Sequence, residues 1–263
     1  MTLQEFFAAA PKAAVAFSGG TDSAFVLWAA RQYGCQVRAY YAKSVFQPAF
    51  EWEDARRLAQ SLGVELTVVP VDILAVAGAA ANGPRRCYHC KRALFTALRG
   101  AAAADGYPLL LDGTNASDDA GERPGMLALR ELAVRSPLRE CGLTKAEVRE
   151  KSRQAGLFTW NKPAYACLAT RVPTGTPLTA DTLRRVEQAE AALTALGFAD
   201  FRVRVLGQAA RIQLTEPQLA AALDRRGEIL DALRPLFSAV LLDLDARPAS
   251  CLLYTSPSPR DCS

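Results

Sequence analysis

The sequence predicts an α/β protein, a doubly wound parallel sheet followed by a second, smaller α+β domain. Three observations predict it. Apolar runs of strand length alternate with helix-period segments through the first half of the chain. Three of those runs end in polar loops, SGGTDS, AKS and DGTN, and in a parallel sheet such loops gather at the carboxyl edge, where ligands bind. The chain has 263 residues, half of them apolar, which suffices for one large domain or two ordinary ones with real cores.

The elements follow in order. AAVAF, residues 13–17, is a first strand that runs into Ser18-Gly19-Gly20, and TDSAFVLWAARQYG is a helix stopped by Gly34. QVRAYYAK is a second strand and EWEDARRLAQSLG a helix charged on one face, with Gly63 as its stop. VELTVVPVD is a third strand, RALFTALRGAAAADG a helix, and YPLLLDGTN a fourth strand entering a turn. TKAEVREKSRQAGL is a helix opened by a capping box from Thr144 to Glu147. A loop rich in Pro, Gly and Thr spans 161–177. Beyond it come a long helix (ADTLRRVEQAEAALTALGF), alternating strands FRVRVLG and ARIQL, a helical stretch EPQLAAALDRRGEILDALRPLF and a strand SAVLLDLD. The expected boundary lies near residue 165, with domains 1–165 and 166–248. From 250 to 263 the text SCLLYTSPSPRDCS breaks from the preceding pattern and resembles translated adapter sequence. It is set aside as a non-native tail, with the native chain expected to stop near Pro248. A natural low-complexity tail is the alternative.

Composition excludes several classes. No apolar run approaches the roughly 18 residues of a membrane span. The first residues lack the basic-then-apolar order of a secretory signal. Basic residues number 31 against 27 acidic ones, too small a surplus for a dedicated nucleic-acid coat. The seven cysteines, an odd number, fit a reducing compartment, so a cytoplasmic location is expected. With one histidine, His89, no metal site needing several imidazoles can be built.

Ser18-Gly19-Gly20-Thr21-Asp22-Ser23 follows a strand and opens a helix. Glycines let backbone approach a phosphate, a helix start offers free N–H groups, and Ser18, Thr21 and Ser23 add hydroxyls. Asp22 suits an anion site only with a divalent cation between. A capped helix start after a turn is the plain alternative. The loop is neither GxxxxGK[ST] nor GxGxxG.

Arg86-Cys87-Tyr88-His89-Cys90-Lys91 holds one CxxC, and Cys167 stands far along the chain. Three thiolates on a [4Fe–4S] cluster leave one iron open to an exogenous ligand. A Cys3His zinc site is the rival, and a chance pair on a helix start the plain reading. Cys35 and Cys141 read as buried filler. Arg202 and Arg204 lie two apart on a strand and face one side, which suits a phosphate; a solvated strand face is the alternative.

SGGTDS resembles the SGGxDS signature of the PP-loop (adenine nucleotide alpha hydrolase-like) superfamily, whose members cleave ATP between the α and β phosphates and adenylylate a substrate oxygen. Asp112-Gly113-Thr114-Asn115 is similar to their later strand-end loop. AFSGGTDS, RCYHCKR, LDGTNASDD, ERPG, NKPAYACLATRVPTG, the helix with Glu190 and RVRVLGQAARI together resemble the LarE-type sulfur transferases over roughly residues 13–215, and more weakly to LLDLD. The resemblance implies that a carboxylate of pyridinium-3,5-biscarboxylic acid mononucleotide is adenylylated and its AMP replaced by sulfur, in making the nickel-pincer cofactor of lactate racemase. It implies ATP on Ser18, Gly19, Gly20, Thr21, Asp22, Ser23, Ser44, Asp112, Gly113 and Asn115, with Mg2+ on Asp22. It implies substrate phosphate on Arg202, Arg204, Glu190 and Arg171, although Arg171 could equally be a structural ion pair. One branch of the family spends the sulfur of the cysteine matching Cys167. The other keeps three cysteines on a [4Fe–4S] cluster, and Cys87, Cys90 and Cys167 place this chain there, with Cys167 and Asp22 as the catalytic pair. Family members form homo-oligomers; the sulfide donor is unidentified. Where a family member carries Glu, this chain has Gln213, and a later acidic position falls near Ala221, which counts against a second metal site. A tRNA-thiolating enzyme and a zinc-bound nucleotide sensor are the alternatives. The absence of a basic coat and of an added RNA-binding module tells against the first.

Overall fold

The computed structural model describes residues 1–118, 124–163 and 165–248. Asp119 of LDGTNASDD, the first two residues of ERPG, Ala164 of the NKPAYACLATRVPTG segment, and the tail 250–263 with Cys251 and Cys262 lie outside the described residues. The chain divides into two compact units, 1–79 with 85–164, and 80–84 with 165 onward. The segment 80–84, expected in the first domain, packs with the second unit: Asn82 is buried and its side-chain amide donates to the Pro173 carbonyl at 2.9 Å and that of Thr176 at 3.0 Å.

The first unit opens with helix α1 (Leu3–Ala9), an element not expected from the sequence. Thr2 and Glu5 form a capping box, and Phe6 and Phe7 are buried in the core. Strand β1 (Lys12–Ala16) leads to α2 (Thr21–Gln32), β2 (Gln36–Lys43), α3 (Ala49–Ser61) and β3 (Leu66–Pro70). A short α4 (Ala77–Ala80), then α5 (Arg86–Ala104), β4 (Leu110–Leu111), α6 (Pro124–Glu131), α7 (Pro137–Glu140) and α8 (Lys145–Gln154) complete it. The strands are parallel in the order β3-β2-β1-β4, with Ala16 beside Tyr40 and Val15 beside Leu111.

Ala13, Ala14 and Val15 are completely buried, as a central strand covered on both faces requires. Helix α2 buries Ala24, Phe25, Val26, Leu27, Ala29 and Ala30, nearly its whole circumference. Because β1 has β4 on one side and β2 on the other, the loops after β1, β2 and β4 leave one edge, at the point where strand order reverses. Two expectations shift. Helix α5 starts six residues before the RALFT stretch, so the CxxC lies in its first turns. The fourth strand is only two residues long, after which the Asp112 N–H turns to the Arg135 carbonyl at 3.0 Å.

In the second unit α9 (Ala180–Ala195) buries Leu183, Val186, Ala189 and Leu193, the spacing of one helical face. Strands β5 (Arg202–Leu206) and β6 (Ala209–Gln213) are antiparallel, and β7 (Ala239–Leu242) pairs parallel with β6. The single helical stretch expected before β7 is two helices, α10 (Glu216–Asp224) and α11 (Arg226–Leu233). Arg225 sits between them and bonds the Leu196 carbonyl and Glu228, which turns the chain. Among the described residues no helix is long and apolar enough to cross a membrane.

Candidate functional site

The turn between β1 and α2 is built for close approach. Gly19 has φ +73°, and a Cβ there would lie 2.9 Å from the Ala55 backbone, so only glycine fits. Gly20 is the N-cap of α2 and brings no side-chain cap, which leaves the first-turn N–H groups to an incoming anion. Ser18 and Ser23 close the loop: their hydroxyls lie 3.1 Å apart, and the Ser18 N–H donates to Ser23 Oγ at 3.3 Å. Thr21 differs from its expected role. Its buried hydroxyl donates at 2.7 Å to the Thr159 carbonyl, so it ties α2 to the 158–161 turn and offers a phosphate only its backbone.

Asp22 stands in the first turn of α2. Burial, and then the neighbouring Asp118 carboxylate, push its pKa up to about 6 against the pull of Lys145, Arg149 and a hydrogen bond from Asn115. Its Oδ1 is buried and has no hydrogen-bond partner among the described residues. An orphaned carboxylate oxygen beside a second carboxylate is the donor set of a hard divalent cation, so these residues fit Mg2+. Asp118, Lys145, Arg149 and Thr159 are not among the site residues expected from the sequence. Asp118 lies inside the LDGTNASDD segment, and Lys145 follows the Thr144 cap.

The loop after β4 supports α2 from below. A Cβ on Gly113 would lie 2.7 Å from the Ser23 backbone nitrogen and 3.1 Å from the Asp22 carbonyl carbon. Gly113→Ala is therefore expected to cost about 1–3 kcal/mol, since backbone must move on both sides, and to raise the KM for ATP. Urea midpoints and ATP saturation curves check it, and unchanged values in both would count against the contact.

Asp112, expected to bind ATP, is instead internal scaffold. Its carboxylate accepts from the Thr114 N–H at 3.2 Å, Thr114 Oγ1 at 2.5 Å and Ser136 Oγ at 2.6 Å. Those three donors fill most of its acceptor capacity. Buried Asn115 receives the Ser117 N–H on Oδ1 and gives its own N–H to Asp118, so it orders the acidic pair. Ser44, at the end of β2, donates to Gln47 Oε1 at 2.6 Å and caps a turn.

Cys87 and Cys90 are the second and fifth residues of α5, half-buried, one turn apart on one face. The helix start favours thiolates there, and Arg86 Nη2 lies 3.9 Å from Cys87 Sγ. His89 is packed against Gly78, where a Cβ would come within 2.5 Å of its ring. Burial pushes the Cys35 thiol up to about 11 and raises that of Cys141, which leaves both inert. Cys167 belongs to the second unit, half-buried at the N-cap of the short 3-10 turn Leu168–Arg171. Among the described residues no three His, Cys, Asp or Glu side chains are grouped closely enough to hold a metal ion. Cys87 and Cys90 in the first unit, and Cys167 in the second, are each thiols of the donor type that iron–sulfur centres use.

The second unit also reassigns two residues expected to bind substrate phosphate. Arg171 and Glu190, both buried, engage each other through two bonds, Nε to Oε1 at 2.8 Å and Nη2 to Oε2 at 3.2 Å. Glu190 also accepts from Tyr165 Oη at 2.5 Å and the Val203 N–H at 3.0 Å. Burial pushes Glu190 up, yet the Arg171 charge and these donors hold it below the ordinary carboxylate range. The pair is thus occupied internally. Arg202 donates from Nη1 to the Phe201 carbonyl at 2.6 Å. Burial, and then repulsion from Arg171 and Arg247, lower it to about 10, so it remains a cation in a locally positive setting that an anion would relieve. Arg204 donates to Gln213 Oε1 at 2.5 Å and the Thr170 carbonyl at 2.7 Å. Gln213 in turn donates to Asp243 at 2.7 Å, an arrangement a Glu at 213 could not make.

The chain is similar to known proteins along most of its length. It is 37% identical over 247 residues to an uncharacterized protein of Synechocystis sp. (strain PCC 6803), covering 92% of each chain. It is 36% identical over 233 residues to the pyridinium-3,5-bisthiocarboxylic acid mononucleotide synthase of Lactiplantibacillus plantarum, covering 88% of this chain and 84% of that one. It is 25% identical over 235 residues to an uncharacterized protein of Methanocaldococcus jannaschii. The family model of the queuosine biosynthesis protein QueC matches residues 12–83, the stretch from β1 past the glycine loop to the Asn82 segment.

Proposed function

From a chain that belongs to the family of the pyridinium-3,5-bisthiocarboxylic acid mononucleotide synthase, the LarE-type ATP-dependent sulfurtransferases of the PP-loop superfamily, we propose an enzyme that adenylylates a carboxylate of pyridinium-3,5-biscarboxylic acid mononucleotide and exchanges the AMP for sulfur. The observation that carries the chemistry is the uncapped, glycine-led start of α2 with the orphaned Asp22 oxygen in its first turn. The N–H groups of that turn, with Ser18 and Ser23, take the β and γ phosphates. Asp22 and Asp118 would hold Mg2+, which neutralises charge developing on the phosphates when bound. A substrate carboxylate oxygen attacks the α phosphorus, pyrophosphate leaves, and the acyl adenylate carries AMP as a good leaving group. Arg202 supplies the cation for the substrate phosphate, with Arg204 held beside it on β5 by Gln213 and Thr170.

Cys87, Cys90 and Cys167 would hold a [4Fe–4S] cluster, which when bound supplies exchangeable sulfide at an iron without a protein ligand. On this reading the enzyme turns over repeatedly and works in the cytoplasm as a homo-oligomer on a small nucleotide, not on nucleic acid. Anaerobic reconstitution with iron and sulfide tests it. About four irons per chain are expected, with several thiocarboxylates formed per chain; Cys87→Ser should lose both iron and repeated turnover. Zinc in place of iron, with no pyrophosphate released from ATP, would overturn the reading in favour of a nucleotide sensor.

A further inference from the structure

We propose that Arg171, Glu190 and Tyr165 form a buried clamp whose task is to position Cys167, an inference that rests on the role just given to that cysteine. Arg171 is 1% exposed and Glu190 7%. One edge of the Arg171 guanidinium is bound to Glu190. From the other edge Nη1 donates to the carbonyl of Ala166 at 2.9 Å, to Thr170 Oγ1 at 2.8 Å, and to the Cys167 carbonyl at 3.4 Å. Thr170 adds its own N–H and hydroxyl to the Cys167 carbonyl at 3.0 and 2.8 Å. On the preceding side, Tyr165 bonds the same Glu190 at 2.5 Å.

The segment is therefore gripped two residues before the cysteine, at the cysteine itself and three and four residues after it. The Tyr165 and Arg171 grips both lead to one carboxylate, which stands on α9 and is bonded to β5 through the Val203 N–H. With the backbone fixed from both flanks, the thiol keeps only its side-chain rotation. Such support from a surrounding layer is what a reacting or ligating atom needs to hold its place. A pair serving general stability has no reason to converge on the carbonyls flanking one cysteine. The Arg fork is required for this geometry, because Lys is a single point charge that cannot span the carboxylate and the carbonyls together.

The test uses the protein without ATP or metal. Iodoacetamide alkylation of Cys167, Cys87 and Cys90 is followed separately by peptide mass spectrometry, the last two serving as controls in the same molecule. Arg171→Lys and Glu190→Gln should speed alkylation of Cys167 by about tenfold, the loss of one charge-assisted hydrogen bond, with Cys87 and Cys90 unchanged. Tyr165→Phe, a milder change that keeps the ion pair, should give a smaller rise at Cys167 alone. With substrate present, Arg171→Lys should lower kcat for thiocarboxylate while leaving the KM for ATP alone. A flat Cys167 rate in the Tyr165→Phe and Arg171→Lys proteins, or an equal rise at all three cysteines, would overturn the clamp. Because alkylation needs no turnover, its result stands whether or not the wild-type protein transfers sulfur, and a flat result leaves the sulfur-transfer reading untouched.

Discussion

Asp22→Asn is expected to abolish ATP cleavage and, at the same time, to make the ligand-free protein more stable above about pH 6. Both effects come from one atom. The Asp22 carboxylate is desolvated and faces Asp118, and its Oδ1 has no donor among the described residues, so its pKa rises from 3.8 to about 6. A raised acid binds its proton more tightly in the folded than in the unfolded state. Its contribution to stability is therefore full below pH 3.8 and falls away as pH rises through about 6. By pH 7.5 the buried charge costs about 3 kcal/mol. Asparagine never ionises, so the variant escapes that loss. Its melting temperature should exceed wild type at pH 7.5 by several degrees and converge with it at acid pH, measured without divalent ions.

Mg2+ should reverse the comparison, raising the wild-type melting temperature at pH 7.5 and leaving the variant where it was. Pyrophosphate release should fall by about three orders of magnitude, since the phosphates lose the counter-charge that lets the leaving group form. Parallel pH profiles for the two proteins would remove the desolvated carboxylate from the account. Surviving pyrophosphate release would remove the cation. An acid kept at a stability cost at the head of the helix proposed to take the phosphates is the conflict between stability and function expected of an active site.

Much of the frame is legible in the sequence because it is local. QVRAYYAK is β2 residue for residue, the Thr144–Glu147 box opens α8, and the glycine loop stands where strand meets helix. The misreadings share a cause. Whether a polar side chain serves a ligand or its own protein depends on which donors the fold brings to it, and those come from far along the chain. Asp112 is spent on Ser136, 24 residues away; Thr21 on Thr159, 138 away. Glu190 is filled by Tyr165, Arg171 and Val203, none of which its own helix announces. Asp118 escapes notice for the opposite reason: its importance lies in its nearness to Asp22, which spacing along the chain does not encode. Helix α1 is seven residues long, too short for a periodicity to register, although its capping box Thr2–Glu5 is present to be read.

Cys167→Ala is expected to stop sulfur incorporation while pyrophosphate is still released. The two halves of the reaction draw on different parts of the chain. In the proposed mechanism, activation of the carboxylate uses the α2 start, Asp22 and Asp118, all in the first unit, and no thiol. Replacing AMP needs a sulfur nucleophile, and Cys167 is the thiol whose backbone the Arg171–Glu190 pair holds in place. The variant should therefore convert ATP to AMP and pyrophosphate in the presence of the biscarboxylic acid nucleotide, yet yield no thiocarboxylate, a loss beyond about a thousandfold that removal of a reacting group entails. Mass spectrometry of product, with pyrophosphate counted in the same reaction, separates the halves. The mass of the wild-type protein after turnover decides how Cys167 acts: an intact thiol after several products means that it holds the sulfur carrier, whereas the loss of the elements of hydrogen sulfide from this residue, in step with a single product, means that it was itself the donor. Thiocarboxylate formed by the alanine protein at the wild-type rate would exclude both, and would move the sulfur site to Cys87 and Cys90 alone.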